Sequence, residues 1–471
     1  MGKYTFSHCI FWLCFVSFSV FAEEPRLYSG EIQVPTLGPL KMTLGISETD
    51  EGTVLLLTVP AQNAENIPLS TSYTKEGAIS AELPQASLAF VVFENDERTK
   101  LTGEMHQGLV FEIDFSRVNE IAKLVRPQNP IVPYPYSERE VTAQHPEGHL
   151  LQGTLTIPSG RGPFPCAVLV SGSGQQDRDE SLMGHKPFLV IADYLTRRGI
   201  AVLRYDDRGI GGSVMEDIND LKEDTSEDFA TDAHLMVQAA RMHTEIDSKR
   251  VGVIGHSEGG LIGPMVALHD DKLAFVVMLA GPGVVGYELL GLQQGLLFET
   301  AGVKKELVDE IVNASLSVYE MLQGGANDKE LLSQVEELVL LQLEAQEIQC
   351  TEDELAKFVA DGLESMTLPW TRFFLFYDPL PTLEQVSCPV LAMNGTKDLQ
   401  VDANQNLTAI ETLITDYESD ITIVRLEGLN HLFQAATTGA VSEYGQIETT
   451  FEPEALSIMT DWIVEVSDNG Y

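Results

Sequence analysis

The chain has 471 residues, 44% of them hydrophobic and 21% charged, with 29 Lys+Arg against 71 Asp+Glu and a formal net charge of −42. That length is too great for one small domain and comfortable for two or three with substantial cores. Such a charge repels phosphate backbones and anionic lipid surfaces, so neither nucleic acid nor a membrane surface is expected as a partner, and it suits a solvated acidic exterior.

Lys3 precedes the apolar run CIFWLCFVSFSVFA, which is too short to span a bilayer comfortably. Val20-Phe21-Ala22 supplies small residues at both ends of a cleavage site, and the charged EEPR follows. Residues 1–22 are therefore expected to be a secretory signal peptide, with a periplasmic or extracellular destination; a retained anchor is the alternative. Cys9 and Cys14 fall in this leader. Cys166, Cys350 and Cys388 remain, odd in number and widely spaced. They make no metal framework, allow at most one disulfide, and read by default as buried thiols.

Residues 23–138 carry short alternating runs (LKMTLGIS, TVLLLTVP, LAFVVF, GLVFEIDF) punctuated by Gly, Pro, Asn and Asp. This predicts a small antiparallel β domain. The Pro-rich stretch RPQNPIVPYPYSERE, Arg126 to Glu140, predicts a semi-rigid linker at its end. From about 139 the texture changes, with Val/Ile/Leu runs such as AVLV, IAVLRY and RVGVIG alternating with helical patterns. Continuous apolar strands between helices mean an α/β class with a mostly parallel sheet covered on both faces. Residues 139–283 read as the first part of that core. Residues 284–383 are helical, rich in Glu and Leu, and end in the aromatic LPWTRFFLFYDPLP; they predict a cap inserted over the sheet's C-terminal edge. Residues 384–471 resume the strand–helix rhythm.

The segment GVIGHSEGG contains Gly255-His256-Ser257-Glu258-Gly259, a G-x-S-x-G pattern that about one chain in six of this length would hold by chance. Its context adds specificity. Strand RVGVIG runs into a sharp turn at Ser257, and a helix opens among glycines, as a nucleophile elbow requires. A dinucleotide fold would need G-x-G-x-x-G in its first βα unit, and a phosphate loop G-x-x-x-x-G-K-S/T; neither is present. A serine hydroxyl needs a base, and the base needs an orienting carboxylate, which follow the serine in the order acid, then histidine. After Ser257 the histidines are His269 and His431. His269 ends the helix after the elbow, away from the active edge, whereas His431 follows strand ITIVRLEGLN. Asp398, after strand PVLAMNG, is the expected acid; Asp402 and Asp378 are weaker candidates, and Asp402 reads as a helix cap. Two backbone donors should form an oxyanion hole. One is the amide of Glu258. The other comes from Ser171–Gln175, with Ser173 favoured over Gly174 and Gln175.

These residues together resemble the α/β-hydrolase superfamily, and more narrowly bacterial serine carboxylesterases that carry SGSG-x-QDRDE, YDDRG-x-G-x-S and GHSEGG. Here the motifs are Ser171–Glu180, Tyr205–Ser213 and Gly255–Gly260. The likeness continues through NGTKDLQV and LNHLFQ around Asp398 and His431, and LPWTRFFLFYDP in the insertion. It implies an esterase acting on short acyl esters of small molecules, with no cofactor and no metal. Glu258, a carboxylate beside the oxyanion hole, is expected to pair with Arg178 or Arg208. Trp370, Phe374 and Tyr377 are expected to wall the substrate pocket. Three rival readings stand beside this one. A prolyl-oligopeptidase-type peptidase shares the triad order, though about 115 residues is too little for its propeller. A thioesterase or acyltransferase would use the same residues, and a non-catalytic binding protein would be expected to have lost one of them.

Overall fold

The computed structural model describes residues 25–34, 38–49, 52–60, 64–73, 77–107, 109–121, 125–215, 217–417 and 419–469. The expected signal peptide lies outside the described residues. Among them no helix is long and apolar enough to cross a membrane.

Eight antiparallel strands follow one another as β1 (Arg26–Val34), β2 (Gly38–Thr49), β3 (Gly52–Val59), β4 (Ala64–Tyr73), β5 (Ile79–Leu83), β6 (Leu88–Glu94), β7 (Lys100–Gln107) and β8 (Leu109–Val118). The period-2 alternation that predicts them buries Leu88, Phe90 and Val92 on one face of β6. β1 returns to β8 through Leu27–Ser29 opposite Ser116–Val118, so the sheet closes into a barrel. Tyr28, Leu44, Leu55, Phe90 and Phe115 fill its interior.

The segment leaving the barrel is fastened to the second half of the molecule. Arg126 donates to the carbonyls of Met183 (2.8 Å) and Gly445 (2.9 Å), and the Gln128 amide donates to Phe451 O at 2.7 Å. The next strand, β9 (Ser137–Gln144), begins inside the Pro-rich stretch expected to be linker. There follow β10 (Leu150–Ile157), β11 (Phe164–Val170), α1 (Pro187–Thr196), β12 (Ala201–Tyr205), α2 (Ser226–Arg241), β13 (Ile246–His256), α3 (Glu258–His269) and β14 (Val276–Leu279). Six helices come between β14 and the next strand: α4 (Gly286–Thr300), α5 (Lys305–Gln323), α6 (Asp328–Ala345), α7 (Glu352–Thr367), α8 (Pro369–Phe376) and α9 (Leu380–Leu383). Ile311, Val318, Leu331, Val335 and Val359 give them a core of their own. The chain ends with β15 (Val390–Gly395), α10 (Ala403–Tyr417), β16 (Ile421–Leu426), α11 (Val441–Tyr444) and α12 (Pro453–Asn469).

The sheet order is β16-β15-β14-β13-β11-β12-β10-β9; β9 and β10 run antiparallel to their neighbours and the rest are parallel. Alternation along each strand feeds two cores. Cys166, Val168 and Val170 of β11 face α2, α3 and α10, while Ala167 and Leu169 face α1 and α12. Both faces are thus covered, as continuous apolar strands require.

Candidate active site

Ser257 stands between the last residue of β13 and the first of α3, at φ 54° and ψ −117°. A non-glycine residue there stores about 1–3 kcal/mol of strain, which the surroundings must hold. They do so through Ser257 N–H to Leu279 O (2.8 Å) and Gly260 N–H to Ser257 O (2.9 Å). A Cβ on Gly255 would lie 1.8 Å from Gly259 O, and one on Gly259 would lie 2.1 Å from Val170 O. Only glycine lets strand, turn and helix approach this closely. The hydroxyl is thereby carried to the C-terminal edge of a central strand.

Asp398 lies just beyond β15 with its side chain fully buried. Its Oδ1 accepts the amides of Gln400 (2.8 Å) and Val401 (2.9 Å), and its Oδ2 meets His431 Nδ1 at 2.8 Å. His431 sits in the loop after β16, shaped by Asn430 Oδ1 accepting the amides of Leu432 and Gln434. A carboxylate can only accept from Nδ1, so that nitrogen carries the proton and Nε2 keeps the lone pair. Ser257, Asp398 and His431 share one edge of the sheet. Among the described residues the Ser257 hydroxyl makes no hydrogen bond, so its link to His431 Nε2 is not closed in this state. The other candidates are elsewhere: His269 is exposed at the end of α3, Asp402 accepts the Gln405 amide as a cap of α10, and Asp378 accepts the amide of Leu380.

His256, the residue before the serine, forms a second buried pair that the sequence reading left unassigned. Its Nδ1 lies 2.8 Å from Glu180 Oε1 and its Nε2 3.0 Å from the His431 carbonyl. Both partners are acceptors, so both ring nitrogens donate and the ring is an imidazolium. Burial works against that charge, but the Glu180 carboxylate outweighs it and holds His256 above its ordinary value. Glu180 also accepts the Gly172 amide at 3.1 Å, which removes one donor from the Ser171–Gln175 loop expected to supply the oxyanion hole. Among the described residues the amides of Ser173, Gly174, Gln175 and Glu258 make no hydrogen bond. Ser171 Oγ and the Gln176 amide anchor the two ends of the loop on Asp207.

Glu258 is buried and does not pair with an arginine. Its Oε1 accepts from Ser226 Oγ (2.6 Å) and from Trp370 Nε1 (2.7 Å), and the Ser173 hydroxyl contributes as well. Burial pushes this carboxyl above its usual range. The two expected arginines have nearer acids. Arg178 is bound to Asp206 (2.7 Å) and Glu140 (3.0 Å), and Arg208 to Asp232 (2.6 Å) and Asp224 (2.8 Å). Of the expected pocket residues, Trp370 reaches the elbow through that bond. Phe374 stacks on Trp370 and is buried against the sheet's core, and the Tyr377 hydroxyl is engaged by Thr382. An open groove of about 670 Å³ between α4 and α5, lined by Leu292, Leu296, Val308, Val312 and Leu316, includes none of these residues.

The sequence model of the serine aminopeptidase S33 family matches residues 186–434, more than half of the chain and all three of Ser257, Asp398 and His431. The chain belongs to this family of α/β-hydrolases. The S33 match begins after the barrel and after the Ser171–Gln175 loop. Esterase EstD of Thermotoga maritima is 27% identical over 328 residues, covering 69% of this S33 chain and 65% of its own length. Esterase FrsA of Klebsiella pneumoniae subsp. pneumoniae is 30% identical over 165 residues, covering 34% of the chain and 36% of its own length. The chain thus spans less than two thirds of either relative. A solved esterase structure from Pyrococcus furiosus covers 74% of the S33 chain at 12% identity with a TM-score of 0.43.

Proposed function

We propose that the chain is a serine carboxylesterase that hydrolyses short-chain acyl esters through an acyl-enzyme. The observation that carries this reading is Ser257 on its strained elbow, at the same sheet edge as a histidine whose Nδ1 is held by a buried aspartate. Ser257 Oγ attacks the ester carbonyl carbon as its proton passes to His431 Nε2. Asp398 keeps the ring oriented and stabilises the imidazolium that forms. The amide of Glu258 and one from Ser173–Gln175 receive the oxyanion. Collapse breaks the ester C–O bond, and the leaving alkoxide takes the proton from His431. Water then repeats the steps on the acyl-serine, releasing the acid. The imidazolium of His256, hydrogen-bonded to the His431 carbonyl, fixes the base loop against the elbow. Glu258 has its carboxylate turned onto the neutral donors Ser226 and Trp370, away from an open approach to the oxyanion. Trp370 closes the cap over the site, which favours small acyl groups. Residues 1–22 act as an export leader in this reading.

Hydrolysis of p-nitrophenyl esters from acetate to decanoate, beside Ser257→Ala, tests it. Turnover of short chains that vanishes in the variant is expected. Equal inactivity of both proteins on every ester would sink the reading. Hydrolysis confined to aminoacyl p-nitroanilides would instead favour a peptidase, the activity in the family's description.

A further inference from the structure

The turn between β9 and β10 reads His145-Pro146-Glu147-Gly148-His149. It lies at the C-terminal edge of the parallel strands, because β10 enters the sheet with Gly153 opposite Tyr205, the last residue of β12. The two imidazoles are 6% and 5% exposed and stack with centroids 4.0 Å apart. One potential ligand atom from each of His145, Glu147 and His149 lies within 4.8 Å of the others.

Proton positions can be read from the partners. Asp232, buried on α2, accepts the Arg208 guanidinium on Oδ2 and presents Oδ1 to His149 Nε2 at 3.0 Å. His149 therefore carries its proton on Nε2 and its lone pair on Nδ1. His145 Nδ1 accepts the Glu147 amide at 3.2 Å, so its proton is on Nε2 as well. That Nε2 is buried, has no hydrogen-bond partner, and stands 3.9 Å from Asp232 Oδ1. On the other side, the exposed Glu147 carboxylate lies 3.7 Å from His145 Nδ1. The Nδ1 lone pair, shared with the Glu147 amide, thus has a carboxylate oxygen beside it.

We propose that this turn binds a divalent transition metal of the zinc class, through imidazole nitrogens of His145 and His149 and the Glu147 carboxylate, with water completing the set. Two imidazoles and one carboxylate are a ligand set that zinc accepts. Asp232 behind the rings is the carboxylate that fixes the tautomer and aim of His149, as such sites require. Arg208 is shared by Asp232 and Asp224, so this buried group keeps an excess of negative charge that, with Glu147, favours an added cation. Ligands about 2.0–2.2 Å from one zinc ion must draw closer than 4.8 Å, and the freely exposed Glu147 side chain supplies that movement. The widely spaced cysteines make no metal framework; this set lies in a hairpin instead. The metal would clip the turn shut, independently of ester chemistry.

The test uses the full-length chain, stripped with chelator and titrated with zinc chloride against a chromogenic chelator, with thermal unfolding of the bare and loaded forms. One equivalent bound and a raised Tm are expected. Glu147→Gln alters only an exposed side chain, so it should fold and keep ester turnover while binding zinc at least about tenfold more weakly. His149→Ala should lose both the binding and the rise in Tm. The absence of stoichiometric binding, or binding in Glu147→Gln equal to that of the unaltered chain, would overturn the proposal.

Discussion

Trp370, on helix α8 of the insertion, donates its indole N–H to the carboxylate of Glu258, the residue that follows Ser257, across 2.7 Å. The cap is thereby docked on the elbow itself, 112 positions away in the chain. Trp370→Phe keeps an aromatic ring and removes the donor. A stability loss of about 1–3 kcal/mol is expected. Each kcal/mol lost from docking lowers the docked-to-undocked ratio about fivefold, so KM for esters should rise more than kcat falls. Chemical unfolding and ester kinetics measure both. A lower Tm with unchanged KM would mean that the bond serves stability alone.

The His256–Glu180 pair predicts a pH signature. His256 is raised above its ordinary value of 6.5 in the folded state, so the stability it contributes is fully present below 6.5. It is lost as pH rises from there through the folded value. Glu180→Gln removes the carboxylate that sustains the imidazolium. The Tm gap between the two proteins should therefore be widest near pH 6 and narrow as the solution becomes alkaline. A gap of equal size at pH 6 and pH 9 would rule out the ion pair as its source.

Asp398 holds the amides of Gln400 and Val401 as well as His431, so its replacement separates chemistry from folding. In Asp398→Asn the carboxamide oxygen can keep the two amides, and its NH2 then faces His431 Nδ1. The ring is forced to carry its proton on Nε2, where the base is needed. Ester kcat should fall on the order of ten-thousand-fold, with circular dichroism unchanged. A loss under tenfold would remove Asp398 from the machinery.

Thiol chemistry offers a simpler check. Burial pushes Cys166 and Cys388 up to about 12, whereas Cys350 is partly exposed. A disulfide-exchange reagent at pH 8 should therefore modify Cys350 in the folded chain and reach the other two only on unfolding.

How much of this was legible in the sequence depends on how local each feature is. The elbow was, because the glycines that permit it lie within three residues of Ser257. Asp398 and His431 were readable from their order and from the strands that precede them. The partners of Glu258 were not. A buried carboxylate held by neutral donors leaves no mark in composition, and Ser226 and Trp370 lie 32 and 112 positions away. Arg178 and Arg208 looked suitable only because the acids nearer to them in space could not be weighed. Strand β9 was hidden for another reason. As the sheet's edge it is mostly exposed, so Ser137–Glu140 carry no apolar alternation to announce it. Barrel closure, too, depends on β1 meeting β8, a pairing with no local signal.

The fastening of residues 126 and 128 also bears on how such molecules could be recombined. One guanidinium bridges Met183, a few residues past the Ser171–Gln175 loop, and Gly445, beyond the His431 loop. Gln128 clasps Phe451 in addition. These two side chains precede β9 yet belong, by their bonds, to the hydrolase. A shuffled or inherited unit that began at the first strand of the sheet would leave its own brackets behind. An exchange that keeps these bonds intact must join upstream of Arg126, so the start of the Pro-rich stretch travels with the sheet it fastens.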